Sequence, residues 1–142
     1  MSVLERISAI LLIIIGIVIV THKIVEPLYH DGTGTSPLWA QIDMAMALAV
    51  VLGVYHGYRR LRAADSGQPD APLTREYLAS NVQFYGFLMI GVWFFWNWFN
   101  VLNPEFKAIE RATQQVFWAI IDTVLPLLSI LLGIRLLRGI ES

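Results

Sequence analysis

Cysteine is absent from this chain of 142 residues, and charge is scarce: only 15% of residues are Asp, Glu, Lys or Arg. Without cysteine there are no disulfides, thiolate metal sites, Cys-ligated iron–sulfur clusters or thiol catalysis. Soluble domains carry roughly 25% charged residues, so the shortage argues against a soluble enzyme, a nucleic-acid binder and a disordered protein. The formal net charge of −1 gives no overall bias toward a polyanion, and nucleic acid is not expected as a partner. A phosphate loop, a nucleophile elbow and a His-rich motif with firm ligand spacing are also missing, as are internal repeats and low-complexity tracts. No catalytic residue is therefore nominated. What is present is apolar: 56% hydrophobic residues and a mean hydropathy of +0.60.

A helical span needs about 20 mostly apolar residues to cross roughly 30 Å of hydrocarbon. Four segments qualify: 7–25, 38–58 (interrupted by Asp43), 77–103 (without formal charge) and 112–134 (interrupted by Asp122). The sequence thus predicts a single all-α membrane domain, a bundle of four transmembrane helices. Segment 7–25 has a weak positive start, Arg6 beside Glu5, and no small-x-small cleavage site, so it reads as an uncleaved first helix. Glu26-Pro27 is expected to end it, because proline disfavours helix in the residue before it. Residues 31–37 read as turns, Asn103-Pro104 as the end of the third helix, and Thr74 as its N-cap. Phe106 and Ile109, with charges between them, suggest an amphipathic turn within Glu105–Gln115.

Orientation is read from basic residues in the short loops. Arg6, Arg59, Arg60, Arg62, Arg75, Arg135 and Arg138 fall on one side, and Lys23, Lys107 and Arg111 on the other, seven against three. The expected protein is a multi-pass component of the cell membrane with both termini and the 59–76 linker in the cytoplasm.

Ionisable groups inside a span are expensive, so each is a functional hypothesis. Asp122 lies about 10–12 Å below the outer surface at the helical rise. Pro126, four residues on, removes the donor for the Asp122 carbonyl. One reading is a proton or cation site; the other is a protonated acid bonded to a neighbouring helix, since no Lys or Arg is expected at its depth. Asp43 sits one turn inside the second helix. His22, Glu26 and His30 are spaced four apart, and with Asp43 they form a candidate outer-surface metal group for copper or zinc. The alternative is a set of interface residues with His22 snorkelling and Glu26 paired to Lys23. No other cofactor is expected. His56, with Tyr55, Tyr58, Arg59 and Arg60, reads as an interfacial cluster on the arginine-rich side.

Two packing signals stand out. Ala45, Ala49, Gly53 and Gly57 place a small residue at every fourth position of the second helix, a stripe that lets two backbones approach closely. Trp93, Phe94, Phe95, Trp96, Trp98 and Phe99 crowd six aromatics into eight residues. Trp93 is about 15 Å below Asn103, deeper than a headgroup belt. Because consecutive residues turn by about 100°, one side of this helix is expected to pack inside the bundle and another to meet lipid or a partner. Asn97, Asn100 and Asn103 form a polar stripe. With Asp43 and Asp122 it suggests an outer-half network among the second, third and fourth helices.

These features lead to the expectation of a non-catalytic accessory or structural subunit of a larger membrane complex, of the respiratory-oxidase, membrane-monooxygenase or photosynthetic kind. Its partners would be membrane lipids and other integral subunits. The alternatives are a small oligomeric transporter or channel using Asp122, and a metal-binding or redox subunit using His22, Glu26, His30 and Asp43.

Overall fold

A computed structural model describes residues 2–34 and 36–139, so Thr35 of the predicted turn segment lies outside the described residues. Among those described, every regular element is helical: α1 (Val3–Tyr29), α2 (Leu38–Ala64), α3 (Arg75–Leu102) and α4 (Arg111–Arg138). All four are long and apolar enough to span a membrane. The chain runs up, down, up, down. The 30–37 and 103–110 connections share one end, the loop end; the start of α1, the end of α4 and the 65–74 linker share the other, the linker end.

The helix starts follow local chemistry. Ser2 and Glu5 form a reciprocal capping box at α1, which satisfies two otherwise orphaned donors. Thr74 caps α3 as expected, its hydroxyl accepting from the Tyr77 amide at 3.1 Å. Past α1, the Asp31 carboxylate accepts from the Thr33 amide and hydroxyl at 2.9 and 2.6 Å. Those donors hold its pKa below the usual aspartate value.

Three boundaries differ from the sequence reading. Glu26-Pro27 does not end α1, which continues to Tyr29. Proline there deletes one hydrogen bond in the last turn, where a helix has little left to lose. Residues 103–110 form turns and bends, so the amphipathic turn in Glu105–Gln115 begins only with α4 at Arg111. The linker is shorter than 59–76, because α2 carries Arg59, Arg60 and Arg62 to Ala64.

The helices associate as two tight pairs. α1 packs most extensively on α4 and α2 on α3; α2 also touches α4 across the bundle, while α1 and α3 do not meet. In lipid, which is as apolar as leucine, such pairs would be held by close packing rather than by escape from water. Glycine sets the distances. A Cβ on Gly53 would overlap the Phe87 ring, and one on Gly57 would lie 3.3 Å from the Phe84 Cα. The small-residue stripe of α2 therefore faces α3, with Ala49 fully buried and Ala45 packed against the core. On the other pair, a Cβ on Gly133 would lie 2.6 Å from the Ala9 carbonyl oxygen, and one on Gly16 would lie 2.9 Å from that of Pro126. Leu12, Phe87, Ile90, Phe94 and Leu132 fill the core between the pairs without exposure.

The aromatic helix turns both ways. Phe94 is fully buried, stacked on Trp98 at 5.5 Å and edge-on to Trp118 at 6.0 Å. Trp93 and Phe95 are half-buried against the core, while Trp96 and Phe99 face outward. His56 departs from its expected place. It is 2% exposed, while Tyr55 and Tyr58 beside it stay on the surface, because position 56 shares the inward face of α2 with Gly53 and Gly57.

Candidate functional site

Toward the loop end lies a cavity of about 200 Å³ whose polar lining, Lys23, Glu26, Trp39, Asp43, Trp118 and Asp122, comes from α1, α2 and α4, with Val101 of α3 and Gly34 completing the wall. Its central contact is an ion pair: Lys23 Nζ lies 2.9 Å from Asp122 Oδ2, with the aspartate side chain 3% exposed and the lysine 41%. This corrects the expectation that no cation reaches the depth of Asp122. Lys23 lies six residues before the end of α1 and spans from its half-exposed position to the acid. It also lies over the Trp39 indole, 5.6 Å from the ring centroid, close enough for a cation–π attraction.

Glu26 does not pair with Lys23 as expected; it accepts from the Trp39 indole N–H at 2.9 Å. Asp43 is 9% exposed and has no ion-pair partner among the described residues. The lining thus holds three carboxyl groups against one ammonium. Three buried polar atoms at this end, Asp122 Oδ1, His22 Nδ1 and Asn97 Oδ1, have no hydrogen-bond partner. Unsatisfied groups of this kind are few in folded proteins and call for an explanation.

His22 stands beside the cavity. Its Nε2 is hydrogen-bonded to the Tyr29 hydroxyl, which reaches Ser36 Oγ at 2.9 Å. Its ring meets Trp39 edge-on at 4.5 Å. The chain of contacts His22–Tyr29–Ser36 joins the site to the loop end.

The candidate metal group is not gathered around one point. His22 faces Tyr29, Glu26 binds Trp39, and the His30 ring accepts from the Gly32 amide at 3.2 Å. Among the described residues, no three His, Asp or Glu side chains converge as a metal ion would require. The expected polar network among α2, α3 and α4 is also redrawn. Asn97 and Asn100 donate to the Trp93 and Trp96 carbonyls of their own helix, at 2.9 and 2.6 Å. A short amide in a helix finds the carbonyl four residues back more readily than a neighbouring helix. The charged groups of the network come from α1, α2 and α4; the sequence offers Glu26 as the partner of Lys23, and spacing along one helix does not show that the lysine reaches α4 instead.

One turn deeper than the charged residues come Ile19, Met46 and Leu125, all fully buried. They close the cavity toward the middle of the bundle. The arrangement can hold a proton or a small cation against the unpaired acid oxygens.

Such a site defines the chain as a four-helix bundle of membrane-spanning character with an ionised cavity near one end. No protein-family model, curated protein or solved structure matches it.

Proposed function

We propose that this chain is a non-catalytic subunit of a larger integral-membrane assembly, with both termini and the linker on the cytoplasmic side. The observation that carries the reading is the chemistry of the uncovered face of α3. Tyr85, Met89, Val92, Trp96 and Phe99 are all exposed at alternating spacings of three and four, the repeat that seats one helix against another. On α1 the outward positions Ile7, Ile10, Ile14 and Ile17 follow the same repeat with aliphatic side chains alone, which suits lipid. On α3, Tyr85 lies about 15 Å from the linker end of a helix about 42 Å long. Its ring therefore lies about a third of the way along the helix, inside the stretch where hydrocarbon would offer its hydroxyl no acceptor. A neighbouring helix does offer one, and large rigid aromatics are frequent anchors at interfaces.

The test is gentle solubilisation from native membranes, followed by analysis of what migrates with the chain at fixed stoichiometry. Larger integral subunits are expected, and Tyr85→Leu with Trp96→Leu should release them while leaving the chain folded. A chain that always isolates alone defeats the proposal. The orientation is tested separately: Ser66→Cys should resist a membrane-impermeant thiol reagent in intact cells and react once they are opened.

A second reading, a small oligomeric transporter, is favoured by one observation: the buried Lys23–Asp122 pair with Asp43 on the same cavity. Since Ile19, Met46 and Leu125 seal the bundle below it, a passage would have to form between copies. Proton flux into vesicles holding the wild-type chain, lost in Asp122→Asn, would establish this reading over the first.

A further inference from the structure

The linker end carries a second feature, unrelated to the ionised cavity. Between α3 and α4 runs an apolar groove of about 380 Å³ lined by Leu78, Val82, Leu128 and Leu131, with Arg75 and Arg135 at its mouth. The same two arginines also line a basic cavity of about 600 Å³ that adds Arg60 and Arg138. Groove and cavity therefore adjoin at Arg75, Ala79 and Arg135. The two helices present matched series along it: Arg75, Leu78 and Val82 going inward on α3, and Arg135, Leu131 and Leu128 going inward on α4.

Among the described residues, the charge at the mouth is not neutralised. The one acid lining the basic cavity is Glu76, which is bound by Arg60 and also accepts from Ser80. Among the described residues, Arg75, Arg135 and Arg138 have no ion-pair partner. Leu78, Val82 and Leu131 are 52, 72 and 54% exposed, so the groove opens sideways, where acyl chains lie around a membrane-spanning bundle.

We propose that this groove is a binding site for one anionic phospholipid. Its phosphate sits between Arg75, Arg135 and Arg138, and one acyl chain lies along Leu78, Val82, Leu128 and Leu131. Guanidinium groups match phosphate oxygens in geometry as well as charge. Basic pockets between membrane helices favour anionic headgroups by about 1 kcal/mol per basic residue. A zwitterionic headgroup brings its own cation to the arginines and loses that preference.

The experiment uses the full chain, delipidated in a neutral detergent, with native mass spectrometry and thermal unfolding as readouts. Phosphatidylglycerol should be retained one to one and raise the unfolding midpoint, whereas phosphatidylcholine of the same acyl chains should do neither. Arg75→Gln with Arg135→Gln should weaken phosphatidylglycerol binding about thirtyfold. Val82→Trp should weaken it by filling the groove with the charges unchanged; Val82 points outward, so this variant keeps the fold. Arg59→Gln with Arg62→Gln removes two charges elsewhere at the same end and should leave binding as it was. Inorganic phosphate alone should not stabilise the chain, which separates a lipid site from a headgroup site. Equal retention of the two lipids, equal loss in the Arg59/Arg62 control, equal stabilisation by free phosphate, or full binding by Val82→Trp would each overturn the proposal.

Discussion

The half of the bundle near the loops and the half below it are stabilised by different physics. Near the loops, three acids and a lysine surround a cavity, and Asp122 Oδ1 is left without a partner. Below, Gly16, Gly53 and Gly133 leave no room for a Cβ against the opposing helix. In the first half ionisable groups sit inside the bundle around a cavity; in the second the contacts inside the helix pairs are glycine-tight, and the charges and the groove lie on the outside, at the linker end. The contrast teaches that charge-changing substitutions should be felt at one end and size-changing ones at the other, although all four helices run through both.

The largest expected effect comes from unbalancing the charge. Lys23→Met preserves length and apolar bulk but strips the partner from an aspartate that is 3% exposed. Breaking a fully buried pair from one side costs about 3–5 kcal/mol; with the lysine 41% exposed the lower end of that range is expected, read as a lower unfolding midpoint by tryptophan fluorescence in micelles. Adding Asp122→Leu to it should recover much of the loss. A Lys23→Met chain as stable as its parent would erase the distinction between the halves.

Next comes volume. Gly133→Leu drives a side chain into the Ala9 carbonyl and Ile13, and Gly53→Leu drives one into Phe87. Overpacking costs about 1–3 kcal/mol, or assembly altogether, and wild-type melting for either variant would show that the pairs are not locked. Asp122→Asn is milder, about 1 kcal/mol, because the amide keeps the shape and its oxygen can still accept from Lys23, itself half-exposed. The smallest effect belongs to the surface of the linker end. Arg59→Gln breaks its 2.6 Å pair with Glu5, but exposed pairs are screened by solvent and salt, so the unfolding midpoint should not move. A clear drop there would mean that charge matters at both ends.

Much of this was open to reading along the chain. Apolar runs of about 20 residues have few fates, so the four helices, their antiparallel order and the Thr74 cap followed from length, hydropathy and local hydrogen-bonding chemistry. The repeat from Ala45 to Gly57 announced a close helix contact, because small residues at every fourth position lie on one face. Asp122 and Asp43 declared themselves as polar groups in apolar surroundings. Local rules fixed these features because each depends on neighbours within one or two turns.

Tertiary structure alone decided who meets whom. Nothing in residues 7–25 says that Lys23 answers Asp122, 99 positions away; α1 comes to α4 because Gly16 and Gly133 let their backbones touch. Nor does spacing reveal that Phe87 is what Gly53 accommodates, or that Asn97 turns back to its own helix and leaves the charged cavity to α1, α2 and α4. Partner choice between helices is settled by the shape and charge of whole faces at once, and a face exists only after the helices are placed side by side.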